Sequence, residues 1–152
     1  MSEGRVDLAQ AWPEGYRALL GLHMAVVESG LDPTIIQLVF TRGSQVNGCA
    51  FCLDMHSLDA LAAGETTQRL LLLGAWRETG FYTEQERAAL ALTEAITDVI
   101  GSHVPDDVYA EAARVFDEAT LAKVVMAATL INAWNRLGIT QRKHAGHYQP
   151  RG

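Results

Sequence analysis

From Leu121 to Ala133 the chain carries one charged residue, Lys123, among residues that are otherwise mostly apolar. A helix that is apolar nearly all round is buried all round. This segment therefore demands a shell of other helices, supplied by its own chain or across a subunit interface. A strand reading fails, because Val124-Val125-Met126-Ala127-Ala128 shows neither alternation nor flanking turn residues. The expectation is an all-α protein whose last helix is capped by Thr120 and runs to Leu137, just before Gly138.

The rest of the chain is punctuated as such a shell requires. Trp12-Pro13-Glu14 opens a first helix that Gly30 closes, and Asp32-Pro33 opens a second that reaches Ser44 or beyond. A third spans about Gly48 to Ala63, ended by Gly64, and Thr66 or Thr67 caps a short fourth reaching Trp76. Thr83-Glu84-Gln85-Glu86 is a capping box, followed by a stripe of Ala89, Leu92, Ile96 and Val99 that ends at Gly101. Pro105 starts another helix, to about Phe116. Without repeats, linkers or low-complexity stretches, residues 1–152 read as one bundle of six to seven helices, with a core at about 12–138 and a polar tail at 139–152.

Composition narrows the function. A net charge of -6 with scattered Arg and Lys cannot replace counterions along a phosphate backbone, so no nucleic-acid partner is expected. No stretch approaches the roughly 20 apolar residues that span a bilayer, and the acidic start Met1-Ser2-Glu3-Gly4-Arg5-Val6-Asp7 lacks the pattern of a signal peptide. A cytoplasmic protein without a membrane partner is expected. In that reducing compartment, a close cysteine pair is more often catalytic or metal-binding than structural.

Both cysteines lie in Asn47-Gly48-Cys49-Ala50-Phe51-Cys52-Leu53-Asp54-Met55-His56. On a helix Cys49, Cys52 and His56 stand at i, i+3 and i+7, on one face. The helix start offers free amides that stabilise a thiolate, and His56 is one turn from Cys52. Three chemistries fit. One thiolate attacks an oxidant and the other resolves the product into a disulfide. Alternatively, the three residues bind a metal with help from His144 and His147. In the third, the cysteines pack as inert apolar residues.

Ser44-Gln45-Val46-Asn47-Gly48-Cys49-Ala50-Phe51-Cys52-Leu53-Asp54-Met55-His56-Ser57, with Asp59-Ala60 and Gly64, resembles the core motif of the alkylhydroperoxidase D / carboxymuconolactone decarboxylase family. The resemblance extends to Trp76-Arg77-Glu78, to Phe81-Tyr82-Thr83 with Glu86-Arg87-Ala88-Ala89-Leu90, and to Ile131-Asn132-Ala133-Trp134-Asn135-Arg136. It covers about Ile35 to Leu137 and is strongest to the small single-domain members.

That resemblance implies an all-α fold, a homo-oligomer (commonly a trimer or hexamer), and peroxidase chemistry needing no metal, haem or flavin. An organic hydroperoxide is reduced, a CxxC disulfide forms, and a dithiol partner of lipoyl or thioredoxin-like type restores the thiols. Cys52 is implied as the attacking thiol, Cys49 as the resolving one, and His56 as a proton relay. Helix-dipole logic alone favours Cys49 as the more acidic thiol, but the nearby imidazole favours Cys52. The family relay also uses a glutamate twelve residues before the first cysteine, where this chain has Gln37. An amide accepts no proton, so Asp54, Glu86 and Glu94 become candidate substitutes. Each also reads as an ordinary structural charge, Glu86 in the capping box and the others on solvated helix faces.

Two other functions remain open: a lactone decarboxylase, which has no use for a disulfide, and a non-enzymatic redox-responsive oligomer. Trp76, Trp134, Tyr82 and Phe81 read as core or interface aromatics. Asn132 and Asn135 need buried partners, between helices or at a subunit register. His23 and His103 read as surface or capping residues, and the tail as frayed or laid across a neighbouring subunit.

Overall fold

Capping chemistry sets most of the helix boundaries in the computed structural model, which describes residues 5–150. The elements are α1 (Leu8–Ala11), α2 (Pro13–Val27), α3 (Pro33–Asn47), α4 (Ala50–Ala62), α5 (Thr67–Leu72), a 3-10 segment (Leu73–Glu78), α6 (Glu84–Thr97), α7 (Val99–Ser102), α8 (Asp106–Val115) and α9 (Glu118–Thr140). The Asp32 carboxylate accepts from the Thr34 amide at 2.8 Å, and Thr83 and Glu86 close both bonds of the capping box. The all-α expectation holds. Among the described residues there are nine α-helices, more than the six or seven expected, because α1 and α7 are single turns without a readable apolar period.

The last helix begins and ends elsewhere than expected. Asp117 is its cap, its carboxylate accepting from the Thr120 amide at 2.8 Å, so Thr120 lies inside the first turn. At the other end α9 continues through Gly138 to Thr140. A glycine within a helix costs about 1 kcal/mol relative to alanine. Here it is retained because α4 passes too close for a side chain: a Cβ would lie 3.2 Å from Cys49 Sγ and 3.3 Å from Cys52 Sγ.

α9 is the central element, packed by α2, α3, α4, α6 and α8. Val124, Ala127, Ala128, Leu130 and Ile131 are wholly buried, with Val39 of α3 and Leu92 of α6 against them. A smaller core of Leu38, Leu73, Trp76, Tyr82 and Leu90 closes the far side of α3 and α6. Asn132 and Asn135 serve this interior: Asn47 Nδ2 donates to Asn132 Oδ1 at 2.9 Å, Asn132 Nδ2 donates to Thr97 Oγ1 at 2.9 Å, and the Asn135 amide meets Ser44 Oγ at 3.0 Å. They tie α9 to α3 and α6 within the chain. Among the described residues no helix is long and apolar enough to cross a membrane.

Residues after α9 fold back on the same chain. The Gly146 amide donates to Asp54 Oδ2 at 2.8 Å and the Tyr148 hydroxyl to Asp59 Oδ1 at 2.6 Å, both acceptors on α4. The Lys143 ammonium stands 5.2 Å from the Phe51 ring centre. The tail is thus an intramolecular strap rather than a frayed end.

Candidate functional site

The turn between α3 and α4 creates the site. Gly48 ends α3 in the left-handed region (φ 66°), which reverses the chain so that Cys49 becomes the N-cap of α4. The helix starts at Ala50, two residues later than expected, because the left-handed residue cannot belong to it. Cys49 Sγ accepts from the Cys52 amide at 3.4 Å, and the two cysteines are joined as a disulfide. Both are buried, each 2% exposed, beneath Gly138 of α9. The Trp134 carbonyl stands 4.0 Å from Cys52 Sγ, within reach of the thiol once the disulfide is reduced.

Cys52 opens onto a cavity of about 380 Å³. Apolar side chains of α2, α4 and α9 form most of its wall, among them Tyr16, Leu20, Phe51, Met55, Trp134 and Leu137. His23 and His56 also line it, and Tyr148 and Lys143 of the strap stand at its edge. His56 is one turn along α4 from Cys52, with its ring centre 5.0 Å from that of Phe40. Burial first, and the neighbouring His23 second, lower its pKa to about 4. At neutral pH His56 is therefore an uncharged imidazole, able to accept a proton.

A second cavity, of about 310 Å³, lies behind the first. Gln37, Phe40, His23, His56 and Asp59 line it. The structure thus brings Gln37 and His56 to one cavity, and Cys52 and His56 to the other.

The three candidate substitutes for the relay glutamate lie elsewhere. Glu94 is held by Arg42 Nε at 2.7 Å, Trp76 Nε1 at 2.9 Å and Arg77 Nη1 at 2.5 Å, so it is not a solvated helix-face charge. Burial alone would raise its pKa, but these three donors outweigh it and hold the carboxyl below its ordinary value. Glu86 is occupied by the capping box and by Arg69 Nη2 at 2.8 Å. Asp54 receives the strap at Gly146. None of the three lines either cavity; Glu86 lines a third one with Gln37, Glu65 and Arg69, away from Cys52 and His56.

His23 is the residue that sequence reasoning misplaced. It lies inside α2 rather than at a helix end, with its ring centre 5.8 Å from Phe40 and 6.3 Å from Trp134. Trp134 likewise walls the cavity instead of belonging only to the core, and Asp59 enters the site at i+3 from His56. That i+3 spacing was a readable signal. Nothing in the sequence links position 23 to 56. His103 does cap a helix, as expected, at the end of α7. His144 and His147 are exposed on the strap. Among the described residues no three His, Cys, Asp or Glu side chains come together as a metal site, so the metal reading of Cys49, Cys52 and His56 has no ligand set.

Residues 13–95 match the carboxymuconolactone decarboxylase family. The chain is 39% identical to the Bacillus subtilis protein YdfG over 141 residues, covering 93% of this chain and 96% of that one. It superposes with a TM-score of 0.90 and 36% identity on a protein of unknown function from Agrobacterium tumefaciens, suggested to be the antioxidant-defence protein AhpD, over 95% of this chain and 99% of that one. The debrominase Bmp8 shares the fold at a TM-score of 0.79 and 21% identity, over 91% of this chain and 74% of its own.

Proposed function

The chain belongs to the carboxymuconolactone decarboxylase family, and on that premise we propose that it is a thiol peroxidase of the alkylhydroperoxidase D type. One observation carries the reading: a bonded Cys49–Cys52 pair at a helix start, with Cys52 facing an apolar cavity that a neutral, buried His56 shares. His56 takes the proton of the Cys52 thiol, and the amides of the first turn of α4 stabilise the resulting thiolate.

The thiolate attacks the terminal oxygen of a hydroperoxide and the O–O bond breaks. The alkoxide leaves as an alcohol with the proton that His56 held. Cys52 is now a sulfenic acid; Cys49 displaces water from it and forms the disulfide. An external dithiol returns two electrons by thiol–disulfide exchange. The cavity supports a substrate with an apolar organic group, because aliphatic and aromatic side chains dominate its wall.

Peroxide consumption with a dithiol reductant tests this. Cys52→Ser is expected to abolish turnover, while Cys49→Ser, reduced and then freed of dithiol, should consume one equivalent of peroxide and stop. Wild-type turnover surviving Cys52→Ser would sink the assignment. Lactone decarboxylation persisting with both cysteines replaced by serine would support the family's other chemistry instead.

A further inference from the structure

Four buried side-chain polar atoms lack a hydrogen-bond partner among the described residues: His23 Nδ1, His56 Nε2, Trp134 Nε1 and Thr41 Oγ1. The first three belong to residues that wall the Cys52 cavity. Leaving a buried donor or acceptor unpaired costs about 1–3 kcal/mol, so a cluster of them needs a reason. His23 and His56 also share the cavity behind, with Gln37 and Asp59. Two imidazoles and the Asp59 carboxylate thus share a cavity with the amide that replaces the relay acid, while Glu65 and Glu86, on the other side of Gln37, are both held by Arg69.

We propose that His23, backed by Asp59, is the terminal proton acceptor of this site and replaces a carboxylate at position 37. The inference rests on the peroxidase reading for its reaction but not for its geometry. The Cys52 proton passes to His56 and on to His23, and returns by the same route to the departing alkoxide. Two neighbouring imidazoles cannot both be charged at low cost, so the pair takes up at most one proton, the one that leaves Cys52. Of the two, His23 is the better holder of that proton, because the carboxylate of Asp59 acts on His23 and none acts on His56. Burial lowers the His23 pKa and Asp59 partly restores it.

The other groups facing His23 do not displace this assignment. From α4 come His56 and Asp59, from α3 the neutral Gln37, and from α9 the neutral Trp134. From the strap come Lys143 and Tyr148, and Tyr16 lies two turns earlier on α2. Among the described residues Asp59 is the one carboxylate in the two cavities, and the Tyr148 hydroxyl donates to its Oδ1 at 2.6 Å. His23 and Asp59 do not touch the reacting sulfur, so they act as positioning and proton-holding residues.

The test is the pH dependence of Cys52 alkylation by iodoacetamide in reduced Cys49→Ser protein, read beside peroxide turnover in the two-cysteine protein. Asp59→Asn and His23→Asn are each expected to raise the apparent thiol pKa by about one unit and to slow peroxide reduction about tenfold at pH 7. Gln37→Glu added to Asp59→Asn should restore both, since it places a carboxylate on the same cavity wall. A merely structural role for Asp59 predicts no such rescue. Unchanged alkylation profiles in both single variants, or folded double variants without rescue, overturn the inference. If wild type consumes no peroxide but the alkylation shifts appear, the function reading fails and the relay stands.

Discussion

Glu94 on α6 and His56 on α4 are both titratable side chains drawn into the interior, and the fold treats them in opposite ways. Glu94 is met by Arg42, Trp76 and Arg77, with both carboxylate oxygens engaged. His56 is more deeply enclosed, yet its Nε2 has no partner among the described residues and its ring lies against Phe40. A saturated charge cluster fixes geometry and has no spare capacity for a proton. An unsaturated neutral imidazole beside a thiol has that capacity. The difference separates a clamp from a candidate catalytic group, where the sequence left Glu94 open between a relay substitute and a solvated charge.

The comparison can be broken by substitution. Glu94→Ala strips a partly buried guanidinium and an indole N–H of their acceptor, and should cost about 4 kcal/mol, or about 12 °C in Tm. Thiol chemistry should remain intact at 25 °C. A Tm within two or three degrees of wild type would show that the cluster is not a clamp.

Acid should act through the other region. His56 titrates at about 4 in the folded protein against about 6.5 when unfolded, so between these values the unfolded chain binds more protons. Stability should be complete above pH 6.5 and fall by up to about 3 kcal/mol as pH drops to 4. Burial shifts His23 in the same direction. Denaturant unfolding of the oxidised protein at both pH values measures the loss. His56→Leu should remove most of it while changing stability at pH 7 by less than about 1 kcal/mol, and an unaltered acid slope would contradict the account.

The smallest effect concerns the wall between the two cysteines and α9. Gly138→Ala places a methyl group 3.2–3.3 Å from both sulfurs, tighter than ordinary contact. A loss of about 1 kcal/mol is expected in the oxidised protein, together with slower reduction by dithiothreitol, readable by thiol release.

Much of the fold is legible in residues that act locally. Asp32-Pro33, the Thr83–Glu86 box and the apolar run of α9 fix elements through backbone amides and periodicity alone. Asp117 was missed as a cap because Thr120, three residues on, is itself a good capping type. Cys49, Cys52 and His56 were legible because one helix carries all three. His23 was not, since its neighbours Phe40, His56 and Trp134 come from three other helices and no spacing rule spans that separation. The proper partners of Glu94 escaped notice for the same reason: Arg42 and Trp76 meet it only in three dimensions.

The cap of α4 is itself a redox-active atom. Cys49 Sγ is what the Cys52 amide donates to, so the helix start and the electron count of the site share one hydrogen bond. Reduction frees Cys49 Sγ from its bond to Cys52 Sγ, so the acceptor that this amide meets changes with the oxidation state. The nuclear resonance and exchange rate of one backbone amide then report the oxidation state of the pair without a probe touching either sulfur.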